Sequence, residues 1–241
     1  MVVVDIYYMS NISKQDFKNF FKYYKSEEQQ EAGVGILYDQ MRDVLKDDAH
    51  DWITTYRSKP EVPKGSNPLT VPYDCQLNNP GGDGWRECFS SSCAMAAMFW
   101  GVIKNPNEYH AVRPRYGDST DASAQIRTLQ SFGLDARFVQ VGSVAKLKAQ
   151  IDRGRPAPVG FLHHGSSSAP SGGGHYICAI GYTDTHLIAH DPYGELDVLN
   201  GGYPKTGGTY GKEIKYSWKH WAPRWSVSND HDGWGLDIVK A

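Results

Sequence analysis

Several things are scarce or missing in this chain of 241 residues, and each absence excludes a class of function. No apolar run reaches the roughly 18 residues that a membrane-spanning helix needs, so no membrane partner is expected. Charge of one sign is not in excess. Lys and Arg total 25 against 27 Asp and Glu, a formal net charge of −2. A nucleic-acid binder usually carries a basic stripe, so none is expected here. Cysteine is sparse. Cys75, Cys88, Cys93 and Cys178 are too few and too irregularly spaced for a disulfide framework, which points to a reduced compartment. His163, His164, His186 and His190 are numerous, yet none stands in an H-x-x-x-H or Cys/His spacing, so no metal and no cofactor is expected. The opening MVVVDIYYMS has no basic n-region and too short an apolar stretch for a signal peptide. The expectation is a soluble monomer that accumulates in the cytoplasm of the producing cell.

The chain divides by composition. Phe17, Phe20, Phe21 and Tyr24 fall on one face of a helix that Ser13 can cap, and Val34, Leu37, Met41, Val44 and Leu45 repeat the pattern. Residues 1–58 are therefore read as a small helical module. Residues 59–70 hold Pro60, Pro63 and Pro68 and read as a stiff linker. Residues 71–241 mix periods. A helix apolar almost all round is expected over 90–103. A helix capped by Ser119 or Thr120 follows over 121–132, then a strand over 136–141, a helix capped by Ser143, and a strand over 158–162. The run HHGSSSAPSGGG reads as a flexible loop.

Two segments carry the chemistry. Residues 71–101 read VPYDCQLNNPGGDGWRECFSSSCAMAAMFWG, and residues 172–195 read GGGHYICAIGYTDTHLIAHDPYGE. Cys88 stands where a helix begins. A helix N-terminus has free N–H groups and the positive end of the macrodipole, and both favour a thiolate. Cys93 and Cys178 lie in apolar runs and read as core fillers. Gln76, upstream, offers a side-chain amide for an oxyanion, beside the Cys88 backbone N–H. The loop with Asn78, Asn79 and Asp83 has the look of a cation-binding turn but reads more simply as an Asx/Gly turn.

His175 begins one predicted strand and Asp191 follows the next. Side chains alternate faces along a strand, so the two meet only if the pairing has the right parity. A five-residue loop over 182–186 would pair Gly181 with Leu187 and set Asp191 opposite Ile177, diagonal to His175. A two-residue turn would separate them. His190 should point to the other face and serve as a structural histidine. A thiol, a His base, an Asp to orient it and an amide donor make a complete set for a cysteine hydrolase.

The order Gln–Cys–His–Asp is that of papain-like enzymes. CFSSSCAM resembles the CGPTSLAM-like segment of bacteriocin-processing, family-39 cysteine peptidases. VPYDCQ resembles their VPYYSQ-type entry, and GHYICAIGY and HDPYGE resemble their His and Asp segments. The resemblance implies an α+β, papain-like fold with a nucleophile helix packed on a small antiparallel sheet. It implies Cys88 as nucleophile, His175 as base, Asp191 as orienting acid and Gln76 as oxyanion donor. Phe89 and Ser90 stand where Gly-Pro is usual in that family. The segments DFKNFFKYYKSEEQQ, KEIKYSWKHWAPRW and DGWGL are similar to parts of phage-encoded peptidoglycan hydrolases. That likeness implies an endolysin whose partner is the peptide and glycan of the cell wall. Four of the seven Trp (218, 221, 225, 234) fall in the last 24 residues, where they can stack on sugars or pack the tail onto the domain. The leading expectation is hydrolysis of amide bonds in peptidoglycan. A protease or thioester transferase acting on proteins is the alternative, and a binding module without chemistry is the third.

Overall fold

The computed structural model describes residues 67–81 and 84–240. The expected helical module over 1–58, most of the linker, and Asp83 lie outside the described residues. Five helices and eight strands follow one another: α1 (Cys88–Phe99), α2 (Pro106–Val112), α3 (Ala122–Ser131), β1 (Leu134–Gly142), α4 (Val144–Asp152), β2 (Ala157–His164), β3 (Ser171–Tyr182), β4 (His186–His190), β5 (Gly194–Glu195), β6 (Lys205–Thr206), β7 (Ile214–Ser217), α5 (Trp218–Trp225) and β8 (Gly233–Lys240). Three short 3-10 turns at Gln76–Asn78, Gly84–Arg86 and Arg113–Arg115 complete the described elements. Six strands form one antiparallel sheet in the order β1-β8-β2-β3-β4-β7. None of the described helices is long and apolar enough to cross a membrane.

Helix α1 is the centre of the core. Its residues from Phe89 to Ala97 are all buried. Met95 packs among Leu147, Ile151, Val159 and Ile177, while Cys93, Ala94 and Ala97 pack among Leu129, Leu134, Leu236 and Ile238. Small side chains let neighbours approach on every side, which is why this helix has no polar face to alternate with an apolar one. Two of its buried hydroxyls are bonded: Gln125 donates to Ser90 at 3.0 Å and Asn79 donates to Ser91 at 2.8 Å, while the Ser92 hydroxyl is buried without a partner among the described residues. The helix starts two residues earlier than the apolar run predicts, so Cys88 is its first residue.

Ser143 caps α4 as expected, accepting from the Lys146 N–H. The cap of α3 is Asp121 rather than Ser119 or Thr120. Its carboxylate accepts from the Ser123 N–H at 2.8 Å, a stronger acceptor than a hydroxyl. The expected flexible loop is much shorter than read. Strand β3 already begins at Ser171, and His164 pairs with Ser171. The remaining turn, residues 165–170, is tied down by the buried Arg224, whose guanidinium donates to the carbonyls of Leu162, His164, Gly165 and Val198 at 2.8–3.1 Å. In the tail, Trp221 and Trp225 are buried and stack on each other with centroids 5.2 Å apart, and Trp218 and Trp234 pack against the same core. These side chains fasten the tail to the sheet, and no face of Trp221 or Trp225 is free for a sugar.

The β3–β4 hairpin brings Asp191 to His175 by a route the sequence did not reveal. Tyr182 pairs with Leu187, so the turn is one residue shorter than expected, which by itself would reverse the parity. A bulge between Ala179 and Gly181 inserts Ile180 as an extra residue and restores it. Beyond the bulge Cys178 pairs with His190 and Ala179 with Ala189. That register sets Asp191, the next residue, level with Ile177 and diagonal to His175.

Candidate active site

Three chain segments converge on His175. Helix α1 brings Cys88, strand β3 brings His175, and the end of β4 brings Asp191. His175 and Asp191 are buried, while Cys88 is half-buried. The His175 Nε2 and the Asp191 Oδ1 lie 2.8 Å apart, and Cys88 is close enough to the ring to favour its charge. Nε2 is taken by the carboxylate, which leaves Nδ1 as the ring nitrogen available to a thiol. Burial opposes a charge on this ring. The Asp191 carboxylate first, and then the neighbouring Cys88, outweigh it and raise His175 to about 10. At neutral pH the ring is an imidazolium held against the Asp191 carboxylate.

Aromatic rings fix the imidazole. Phe161, its pair across β2, meets it edge-on with centroids 5.5 Å apart, and Tyr203 does so at 5.3 Å. His163 lies 5.9 Å away and donates Nδ1–H to the Gly173 carbonyl at 2.7 Å. Burial, then the neighbouring charge on His175, push His163 down to about 4, so it stays neutral. His190 behaves as the expected structural histidine. Its Nε2 is 2.8 Å from the Val71 carbonyl and its Nδ1 accepts from the Glu213 N–H at 3.0 Å.

Asp191 accepts from four donors. Oδ1 takes His175 and the Tyr193 N–H at 3.0 Å, and Oδ2 takes the hydroxyls of Tyr203 and Tyr216, each at 2.9 Å. Neither tyrosine stands at a spacing that links it to a catalytic segment, and sequence reasoning passed over both. They arrive from the loop before β6 and from the edge strand β7, so only the tertiary fold assembles them.

Gln76 is buried against the same assembly. Its backbone N–H donates to the Pro192 carbonyl at 2.9 Å, and the Tyr73 hydroxyl donates to the Asp191 carbonyl at 3.1 Å. The entry segment therefore runs beside the residues that carry the acid. The side-chain Nε2 donates to the Gly84 carbonyl at 2.6 Å, on the turn that leads to Cys88. Its second hydrogen has no partner among the described residues, and Oε1 is buried without one. A Cβ at Gly84 would run into the Gln76 carbonyl and the Leu77 Cα, so the loop closes this tightly only because the residue is glycine.

A second buried cluster holds the two arms of the site together. His110 of α2 sits between Asp74 at 3.6 Å and Glu87 at 3.5 Å, ion-pair rather than hydrogen-bond distances, and Arg113 bonds Glu87 at 2.6 Å. Asp74 lies two residues before Gln76 and Glu87 one before Cys88. Burial works against charge on His110, but the two carboxylates prevail and raise its pKa. All four cysteines are free thiols. Asn79, one of the residues of the Asx/Gly turn, spends its amide on Ser91.

No curated protein matches the sequence. Solved structures do. A C39-like peptidase from Bacillus anthracis matches with a TM-score of 0.50 at 13% identity, over 71% of this chain and 96% of that one. The peptidase domain of Streptococcus ComA, a bi-functional ABC transporter involved in quorum sensing, matches at 0.44 with 17% identity, over 65% and 93%. A double glycine motif protease from an AMS/PCAT transporter, solved with a leader peptide, matches at 0.44 with 13% identity, over 73% and 96%. The architecture is thus α+β and papain-like, a buried helix packed on an antiparallel sheet. The sequence pattern of the Peptidase_C39-like family matches residues 68–218, most of the chain, and the protein belongs to that family of cysteine peptidases.

Proposed function

We propose that the protein is a cysteine hydrolase that cleaves amide bonds of peptidoglycan, as an endopeptidase or amidase of the phage-lysis type. The observation that carries the chemistry is the line Cys88–His175–Asp191, in which one imidazole is bonded to a buried carboxylate and lies beside a half-buried thiol. In this reading the Cys88 sulfur attacks the carbonyl carbon. The oxygen takes up negative charge beside the Cys88 backbone N–H and the free hydrogen of Gln76 Nε2. The C–N bond then breaks, and the imidazolium of His175 gives its proton to the leaving amine. A water molecule, deprotonated by His175, hydrolyses the thioester and restores the thiol.

The polymer as substrate is supported by two exposed side chains on the turns that hold Gln76 and Gly84. Trp85 is 68% exposed and Leu77 41% exposed, each one residue after a partner in the Gln76–Gly84 hydrogen bond. An indole face is suited to a sugar ring or a peptide plane. Membership of a peptidase family favours a second reading, in which the substrate is a protein or peptide.

Digestion of isolated sacculi separates the two. The wall reading expects new amino groups, no reducing sugars, and no release by Cys88→Ala. Cleavage of casein with sacculi left intact would replace it with the protease reading. Loss of activity in Cys93→Ala but not in Cys88→Ala would remove Cys88 as the nucleophile.

A further inference from the structure

We infer that Tyr203 and Tyr216 are positioning residues for catalysis, acting through Oδ2 of Asp191 to hold His175 in the orientation that serves Cys88. The inference rests on the reading of Cys88, His175 and Asp191 given above.

A carboxylate that orients a histidine through one oxygen can still turn about its Cβ–Cγ bond. In this protein it cannot turn freely. The two hydroxyls grip Oδ2 at 2.9 Å each, while Oδ1 holds His175 and the Tyr193 N–H. Four donors from four places in the chain use the roughly four lone-pair sites that a carboxylate offers. No acceptor faces Asp191 in this set, so the Nε2 of His175 must carry a hydrogen. Nδ1 is then the atom left to exchange a proton with the thiol.

The tyrosines are fixed as donors. The Tyr216 oxygen already accepts from the Leu196 N–H at 3.0 Å, so its own hydrogen is directed at Asp191. The chain Leu196–Tyr216–Asp191–His175 polarises in one direction. Burial first, and then the Asp191 charge, push both phenols well above their ordinary range, so neither hydroxyl ionises at working pH. Tyr203 adds a second constraint, since its ring stands edge-on to the imidazole. Tyr216 lies on β7 opposite Leu187 and is buried. Its hydroxyl therefore also measures the position of the edge strand against the site.

The test is a double-mutant cycle in the full chain. Tyr203→Phe and Tyr216→Phe are made alone and together, in the wild-type and in the Asp191→Asn background. Two readouts are used: kcat and KM on solubilised peptidoglycan fragments, and the rate at which iodoacetamide alkylates Cys88. In the wild-type background each change should lower kcat by roughly ten-fold, with KM within about two-fold, as befits loss of one hydrogen bond to a charged acceptor. Alkylation should slow in parallel. In the Asp191→Asn background the same changes should cost less than about two-fold, since the carboxylate they act on is gone. Tyr216 is in the core, so Tyr203→Phe, on a half-buried ring, keeps the test valid if Tyr216→Phe does not fold. Phenylalanine variants with wild-type kcat beside an impaired Asp191→Asn would overturn the inference, and so would losses that simply add to that of Asp191→Asn. Wild-type kinetics in Asp191→Asn itself would instead sink the underlying triad reading.

Discussion

Replacing Asp191 with Asn tests the site most sharply, because the side chain keeps its shape and loses one charge and two acceptor positions. Four donors point at this group, and an amide can accept from only two of them. The new NH2 must face either the two hydroxyls or the imidazole. Once the carboxylate is gone the two hydroxyl hydrogens can be redirected and a lone pair of each oxygen can accept, whereas the Tyr193 N–H beside His175 cannot turn. If the NH2 faced His175, the ring would have to carry its hydrogen on Nδ1, against the thiol, which is the wrong tautomer and in a comparable serine triad costs about 10⁴ in rate. The amide oxygen will therefore stay on His175. What is lost is the attraction between carboxylate and imidazolium, roughly 4 kcal/mol at 4 Å in an effective dielectric of 20. A neutral hydrogen bond returns about 1 kcal/mol of it. The difference of about 3 kcal/mol corresponds to a loss of roughly 10² in kcat/KM. The pH profile should report the same change. His175, raised to about 10 in the native protein, sets the alkaline limb, because the leaving amine needs its proton. In Asp191→Asn that limb should move down toward the ordinary histidine value of about 6.5. The assay is kcat/KM from pH 5 to 11 on solubilised fragments, with Cys88 alkylation as a substrate-independent check. An unmoved alkaline limb, or a loss below about three-fold, would refute the argument. A loss near 10⁴ would mean the amide had turned the other way.

Other expectations follow from the same geometry. Gln76→Ala should lower kcat by roughly 10²–10³ with little change in KM, since the amide acts on charge that develops in the transition state. A defect confined to KM would make Gln76 a ground-state contact. Gly84→Ala forces a Cβ into the Gln76 carbonyl and the Leu77 Cα, and should cost about 1–3 kcal/mol in urea unfolding as well as activity. A wild-type unfolding curve would show that the loop gives way freely. His110→Ala leaves Asp74 and Glu87 without the cation between them and should cost roughly 3 kcal/mol at pH 6. The folded pKa of His110 is raised above 6.5, so its contribution is complete below that pH and fades as pH rises through the raised value. The penalty should therefore be smaller at pH 9 than at pH 6, and equal penalties at both would contradict the ion-pair assignment.

Much of this protein was legible in local pattern. A run of small and apolar residues with no breaker before Gly101 can only be a helix buried on all sides, and that run names the element beginning at Cys88. Ser143 ahead of an apolar-periodic stretch is a cap, because the N–H groups at a helix start need an acceptor. The parity argument required Asp191 on the face of His175, and the alternation of side chains along a strand made that a demand rather than a guess. Pattern showed helices and strands mixed in residues 71–241, and the resemblance to family-39 cysteine peptidases implied the α+β class.

The tertiary structure decided the rest, for reasons of distance along the chain. The bulge at Ile180 cannot be read from YICAIGY, since an extra residue is accommodated by the partner strand and not by its own neighbours. The tail tryptophans were ambiguous between sugar platform and core, and only the packing of Trp221 and Trp225 under the sheet resolves it. Tyr203 and Tyr216 lie 12 and 25 residues from Asp191, beyond any periodic spacing. His110 is joined to Asp74 and Glu87 through the docking of α2. Residue type and order carry the reacting groups, whereas the donors that orient them are chosen by which loops and edge strands happen to meet a buried carboxylate.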